Sequence, residues 1–246
     1  MKKRVVLYFL PVFLSYLFIN PAWTQPVNTL TQKEKEEGWM LLFNGKDFTG
    51  WRQYNGTSMP PNWKIEDNAM KVFTAEGKKP GQGSGGDIIY AAKKFRDFEL
   101  SIDWKADKMA NSGIFYYVRE EPGQQIYSSA PEVQILDNDN ATDNKIASHL
   151  AGSLYDVLPA DPKTVKPAGQ WNNIVIRAKD GKVTHIQNGV KVVEYELWTP
   201  KWDEMVKNSK FKDFPGFQKG ISREGYIGLQ DHGYTVWFRN IKIREL

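Results

Sequence analysis

From residue 38 onward the chain alternates short runs of β-branched and aromatic residues with clusters of Gly, Asn, Asp and Pro. That punctuation restricts it to antiparallel β architecture. The candidate strands are Trp63–Glu66, Met70–Phe73, Asp87–Tyr90, Glu99–Trp104, Gly113–Arg119, Glu132–Leu136, Gly152–Tyr155, Trp171–Ala178, Lys182–Gln187, Lys191–Glu194, Gly225–Leu229 and Tyr234–Arg244. Asp180-Gly181 and Asn188-Gly189 are dipeptides that accept the positive φ of two-residue hairpins, so the strands around them form a three-stranded meander. One short helix is expected near 200–210. Thr199 stands at its N-cap, Pro200 suits its first position, and Trp202, Met205 and Val206 share a face. The glycines of 76–86 read as a surface loop, because no strand–loop–helix order surrounds them. With no internal repeat or composition break, 38–246 is expected to be one all-β domain. It would be a jelly-roll sandwich of two curved sheets over one core, with a ligand site on a sheet face flanked by long loops.

The first residues read differently. Lys2, Lys3 and Arg4 precede an apolar run from Val5 to Ile19, which is about 15 residues long and short of the ~20 that span a bilayer. Residues 1–24 are therefore expected to be a signal peptide, with a short uncleaved anchor as the alternative. Residues 25–37 are expected to be a leader or linker, and the alternating charges from Lys33 to Glu37 suit a solvated leader helix or linker. No later stretch is apolar enough for a stable membrane span. The formal charge of +4 drops to +1 without residues 1–24, because three of the 33 Lys+Arg lie there and none of the 29 Asp+Glu does. No basic patch interleaved with aromatics remains, so nucleic acid is not an expected partner. Export to the periplasm or exterior of a Gram-negative bacterium is expected, and the absence of Cys suits it.

The absence of Cys also removes a thiol nucleophile and cysteine-ligated zinc. No Gly-x-Ser-x-Gly elbow and no His-x-x-x-His pair is present, so neither serine hydrolase chemistry nor a local zinc site has support. The sharpest constellation is Glu132-Val133-Gln134-Ile135-Leu136-Asp137. In a strand, Val133 and Ile135 enter the inter-sheet core, and Glu132 and Gln134 line the outer face. Strict alternation sends Asp137 the other way unless a β-bulge returns it. The run Asp137-Asn138-Asp139-Asn140 also suits a turn or a calcium loop. His185 lies on a meander strand and is expected at the surface. His149 lies in a loop within reach of a cleft, and His232 ends a strand before Gly233. Trp63 and Trp171 read as core or turn anchors, whereas Trp237 and Arg239 alternate with Val236 and Phe238 and are expected on a site-facing side.

Seven segments in order resemble one bacterial family: Leu42 to Trp51 (LFNGKDFTGW), Asn111 to Phe115 (NSGIF), Glu132 to Asp137 (EVQILD), Ala151 to Tyr155 (AGSLY), Gln170 to Asn173 (QWNN), Asn188 to Val190 (NGV), and the closing run from Gly228 to Ile241. The chain resembles the 3-keto-disaccharide hydrolase domain family, abundant in Bacteroidetes, over nearly all of 38–246. The resemblance implies a concanavalin A-like jelly roll and an exported enzyme. It also implies a carbohydrate substrate already oxidised to a ketone at C3. Such a ketone acidifies the C2 proton, so one base can start an elimination that water addition completes. On that reading Glu132 is the base. Asp137 and His232 are the further catalytic candidates, as proton shuttles or holders of a divalent cation. Asn111, Arg119, Gln134, Tyr155, Gln230, Trp237 and Arg239 are the substrate-binding candidates. The spacing is also similar to the Glu-x-Asp-x-x-Glu signature of laminarinase-type glycosidases, but Gln134 stands at the middle acid and Asp137 at the last. A non-catalytic carbohydrate-binding module and a laminarinase-type glycosidase remain the alternatives. The oligomeric state and the metal are not legible.

Overall fold

The computed structural model describes residues 25–246 except Ser84; the expected signal peptide, 1–24, lies outside the described residues. The strands in chain order are β1 (Met40–Leu41), β2 (Trp51–Gln53), β3 (Trp63–Glu66), β4 (Ala69–Val72), β5 (Ile88–Phe95), β6 (Phe98–Ala106), β7 (Asn111–Val118), β8 (Glu132–Leu136), β9 (Asn172–Lys179), β10 (Lys182–Gln187), β11 (Val190–Glu196), β12 (Gly225–Leu229) and β13 (Val236–Glu245). The runs at β1 and β2 are too short to show alternation and were not expected. Conversely, Gly152–Tyr155 is not a strand. Positive φ at Gly152 and at Asp156 breaks its extension, and Leu154 makes only isolated bridges to Val133 and Leu158.

The strands form a two-sheet β-sandwich of jelly-roll type. An eight-stranded sheet runs β11-β10-β9-β6-β13-β4-β3, with β1 also on β13, and a five-stranded sheet runs β2-β5-β12-β7-β8. The meander β9–β10–β11 turns at Asp180-Gly181 and Asn188-Gly189, all four residues at positive φ. Between the sheets lie Leu100, Ile102, Trp104, Ile174, Ile176 and Phe238 from the larger one. From the smaller one come Ile114, Val133, Ile135, Ile227 and Leu229, all essentially excluded from water. At roughly 25 cal/mol per Å² of apolar surface, burial of this double layer is the main force that closes the sandwich. Trp63 belongs to this core and stacks on Phe238.

His185 is the clearest departure from expectation. It alternates along β10 with Val183 and Gln187 on the inward face and is completely buried. Its Nδ1 lies 3.1 Å from the Gly152 carbonyl and its Nε2 3.4 Å from the Tyr116 hydroxyl, which itself meets that of Tyr195. Burial pulls the imidazole down to about 4, so it stays neutral.

More than one helix is present. The expected one is preceded by α1 (Gln32–Glu36), in which Thr31 and Glu34 form a capping box. Residues 25–37 are not merely a linker. Asn28 exchanges backbone-to-side-chain hydrogen bonds with Asn240 and reaches the Asn68 carbonyl, and Glu34 pairs with Lys242. The expected helix is α2 (Pro200–Lys207), with the Thr199 side chain accepting from the Trp202 amide. It ends at Lys207 rather than near 210. A 3-10 turn at Lys210–Asp213 and α3 (Pro215–Gln218) follow. A chain of rings ties these pieces together: Tyr195–Trp202 at 5.6 Å, Trp202–Phe217 at 6.4 Å, Phe217–Phe211 at 4.6 Å, Phe211–Phe214 at 5.5 Å and Phe214–Tyr127 at 5.9 Å. Each such pair contributes about 0.5–1.5 kcal/mol beyond area burial. Together they hold Lys210 and Phe214 against the outer side of the five-stranded sheet.

Candidate active site

β8 alternates as its apolar positions demand. Val133 and Ile135 enter the core, and Glu132 and Gln134 project from the outer face of the five-stranded sheet. The register with β7 is unbroken from Asn111↔Leu136 to Phe115↔Glu132. Gly113 stands opposite Gln134 in that pairing. A Cβ there would lie 2.1 Å from Glu132 Oε1, so the absent side chain is the space the carboxyl occupies.

Asn111, Glu132, Gln134, Gln230, His232, Tyr155, Tyr127, Lys210 and Phe214 surround a cavity of about 310 Å³. Its floor is polar and sealed: Asn111, Glu132, Gln134 and Gln230 are all buried. Its rim is more open, with Tyr127, His232 and Lys210 exposed. The Gln134 amide nitrogen donates to Asn111 Oδ1 at 3.4 Å. The side-chain oxygens of Gln134 and Gln230 are buried without a partner. A buried, unpaired amide oxygen costs about 1–3 kcal/mol, and a ligand hydroxyl that donates to it recovers that cost.

Glu132 is the one carboxylate lining this cavity among the described residues, and no protein group there hydrogen-bonds its carboxyl. Burial pushes it up to about 8; the charges of Asp87 and Asp143 push the same way, and Lys210 opposes them. Asp87, held beside Asp231, is itself pushed up to about 7, mainly by burial and then by the neighbouring Asp231 charge. The Asp231 amide donates to Asp87 Oδ1 at 2.8 Å, and the Asp231 carboxyl accepts from the amides of Gly86 and Gly233.

A second network stands behind Tyr155. Its hydroxyl donates to Asp143 Oδ2 at 3.0 Å, and its ring lies 4.4 Å from that of His149. His149 is buried between two carboxylates, with Nδ1 2.7 Å from Asp143 Oδ1 and Nε2 2.8 Å from Asp156 Oδ1. The Lys210 amide donates to Asp156 Oδ2 at 2.7 Å, and the Lys210 ammonium sits 4.0 Å from the Tyr155 ring centroid. Burial and the charges of Asp143 and Glu132 raise the Tyr155 hydroxyl well above its ordinary value, so it stays protonated.

The cavity thus gathers Glu132, Asn111, Gln134, Tyr155, Gln230 and His232. Four expected residues stand elsewhere. No bulge interrupts β8, and Asp137 accepts from the Met109 amide at 2.8 Å, the Asp139 amide at 3.2 Å and the Asn140 side chain at 2.9 Å, which makes it a turn anchor. Arg119 lies just past β7, bonded to Glu121 at 2.7 Å. Trp237 and Arg239 are on β13, in the other sheet, so their outward face is on the far side of the sandwich. There Trp237 donates to Glu66, and Arg239 stacks 3.9 Å over the Trp171 ring. Asp137 and His232 do not converge, and the described residues hold no group of three or more His, Asp and Glu arranged to bind a metal ion. Sequence reasoning missed Lys210, Tyr127, Phe214, Asp143 and Asp156. Their only local signal is the ring-rich stretch around 211–217 and the Asp-x-x-x-x-x-His spacing of 143–149, and neither names a function.

A buried, unshared carboxyl beside open amide oxygens, on the face of a β-sandwich, defines the class of candidate sites that hold a polar ligand against a protonatable group. Comparison with known proteins narrows the class. Residues 38–244 match the family described as the 3-keto-alpha-glucoside-1,2-lyase-like domain, and the chain belongs to that family. A curated relative, a 3-keto-disaccharide hydrolase from Bacteroides thetaiotaomicron, is 42% identical over 230 residues, covering 85% of this chain and 79% of that protein. Two crystal structures of candidate glycosyl hydrolases from Parabacteroides distasonis are also similar. One has a TM-score of 0.80 at 34% identity over 90% of this chain and 100% of its own; the other has 0.61 at 28% over 85% and 99%.

Proposed function

We propose that this domain cleaves glycosides whose sugar already carries a ketone at C3, by elimination across C1–C2 followed by addition of water. The observation that carries the reading is the Glu132 carboxyl, sealed at the cavity floor, free of protein donors and pushed up to about 8. A base of that strength is matched to removing a proton that a neighbouring ketone has acidified. The unpaired oxygens of Gln134 and Gln230 accept from sugar hydroxyls, and Asn111 joins them. Tyr127 and Phe214 offer ring faces at the rim to the apolar side of a sugar. The family and the curated relative are both named for the same substrate chemistry, which supports the reading.

A retaining laminarinase-type glycosidase uses two carboxyls about 5–5.5 Å apart across the scissile bond. With Asp137 turned into its own loop, Glu132 has no such partner in the cavity among the described residues. A binding module has no use for a sealed, proton-hungry carboxyl at its floor. The deciding experiment incubates the purified domain with a disaccharide and with its 3-keto form. Turnover of the keto form alone is expected. Equal turnover of both overturns the reading in favour of an ordinary glycosidase, and binding without turnover favours a module.

We also propose export, on the charged and apolar pattern of residues 2–19. Cell fractionation with N-terminal sequencing of the mature chain tests it, and a cytoplasmic, unprocessed chain overturns it.

A further inference from the structure

We propose that Lys210 is a catalytic residue of this cavity, its ammonium pairing with the oxyanion that forms at C3 when Glu132 takes the C2 proton. The inference rests on the 3-keto reading and adds to it the group that carries the developing charge.

The chemistry sets the requirement. As the C2–H bond breaks, the proton moves to Glu132 and the electron pair forms C2=C3. The ketone π pair then moves onto its oxygen as a full negative charge. In the next step that oxygen re-forms C3=O, the C2 pair forms C1=C2, and the C1–O bond breaks toward the leaving group. The leaving group takes the proton from Glu132, and water then adds across C1=C2. Charge therefore appears first at C3 oxygen, inside a site built mostly of neutral groups. The oxygens of Gln134 and Gln230 repel it, and the Tyr155 hydroxyl already donates to Asp143. Among the described residues, Lys210 is the one Lys or Arg lining the cavity. A fixed charge placed where the oxyanion develops commonly lowers the barrier of such a step more than any other single group.

Its position is held rather than incidental. Among the described residues, no carboxylate lies within ion-pair distance of its ammonium, so the charge is not already neutralised. Two anchors fix it. The backbone amide is bound by Asp156, and the ammonium rests over the Tyr155 ring. His149, clamped between Asp143 and Asp156 and packed on Tyr155, ties both anchors into one unit. The 3-10 turn that carries Lys210 is fastened by the stacking of Phe211 on Phe217. Such a network places a flexible, strongly hydrated lysine where a mobile surface side chain would otherwise wander.

The test separates this step from bond cleavage. The substrate is the 3-keto form of 1,5-anhydroglucitol, which has no leaving group at C1. In heavy water the wild-type enzyme is expected to exchange its C2 proton, read by NMR. Lys210→Met is expected to slow that exchange by about 10²–10³-fold, with Lys210→Arg retaining more of the rate than Lys210→Met. Because His149 acts through Lys210, His149→Gln is expected to slow exchange in the wild-type background and to add nothing to Lys210→Met. Exchange by Lys210→Met within about threefold of wild type overturns the role of Lys210 alone. A wild-type enzyme that neither exchanges this ketone nor cleaves a 3-keto-disaccharide overturns the substrate reading itself, and Lys210 with it. Lys210→Gln serves as a second neutral variant, and the side chain is exposed, so neither replacement disturbs the core.

Discussion

The two outward faces of the sandwich carry the same kinds of residue and put them to opposite uses. On the eight-stranded sheet, Arg239, Trp171, Lys105, Trp237 and Lys71 form a ladder of cations over rings, with separations of 3.9 to 5.2 Å. Its acids are matched: Glu66 meets Lys64 and Lys71, Asp103 meets Arg239, and Glu99 meets Arg177 and Arg244. On the five-stranded sheet, the turns and short helices of 200–218 roof the face. There, among the described residues, Glu132 lies buried without a hydrogen-bond partner, and no carboxylate lies within ion-pair distance of the Lys210 ammonium. Paired charges at an open surface contribute little and ask for nothing further. Buried groups left unpaired, as Glu132 and the Gln134 and Gln230 oxygens are, are costly to the free protein, and a ligand relieves that cost. Residue type alone does not tell the two faces apart; unsatisfied burial does.

The largest expected difference between the faces is in turnover. Glu132→Gln should lower kcat on a 3-keto-disaccharide by about 10²–10⁴-fold, the range for loss of a general base. Wild-type kcat/KM should rise with pH along a limb near 8, where Glu132 ionises. A flat profile from pH 5 to 9 would break the assignment.

Gly113→Ala comes next, because its Cβ would meet the Glu132 carboxyl at 2.1 Å. The carboxyl must leave its place, so activity should fall sharply, with a stability loss of about 1–3 kcal/mol by calorimetry. Unchanged kinetics would show that Glu132 has freedom the packing denies it.

Glu132→Gln should also stabilise the fold at alkaline pH. The folded carboxyl keeps its proton up to about 8, whereas the unfolded one releases it near 4.5. Folding then takes up a proton between those values, and the stability present below 4.5 is lost as pH rises through 8. The gain in Tm of the variant should therefore grow from pH 5 to pH 8. A gain that shrinks would sink the account.

The smallest effects belong to the far face and the turn. Asp137→Ala should cost about 1–2 kcal/mol of stability by denaturant unfolding, through its lost amide acceptors, with kcat little changed. Trp237→Ala and Arg239→Ala should shift stability by about 1 kcal/mol or less and leave kcat/KM near wild type. A large loss of turnover in either would move the site to the other sheet.

Much of the fold was legible in particular residues. Asp180-Gly181 and Asn188-Gly189 announced the meander, and the Thr199 cap announced α2, because these signals are local and their mechanism is backbone conformation. The same local reasoning placed Glu132 and Gln134 on one face. It failed for His185, expected at the surface; alternation with Val183 and Gln187 carries it into the core, where a carbonyl and a hydroxyl satisfy the ring. It failed for Trp237 and Arg239 because alternation says which residues share a face and nothing about which sheet that face belongs to.

By itself, then, the sequence determined most of the longer strands, the hairpin turns, the split of β8 into core and outer positions, and the family. Those follow from period-two geometry, turn chemistry and residue identity, all readable along one dimension. Only the tertiary structure decided that Asp137 faces its own loop, that Lys210 from a distant turn joins Glu132, and that His149 is clamped between Asp143 and Asp156. The reason is physical: burial, and with it the charge state of Glu132, is set by what packs over a strand, and the covering segment lies about eighty residues away in the chain.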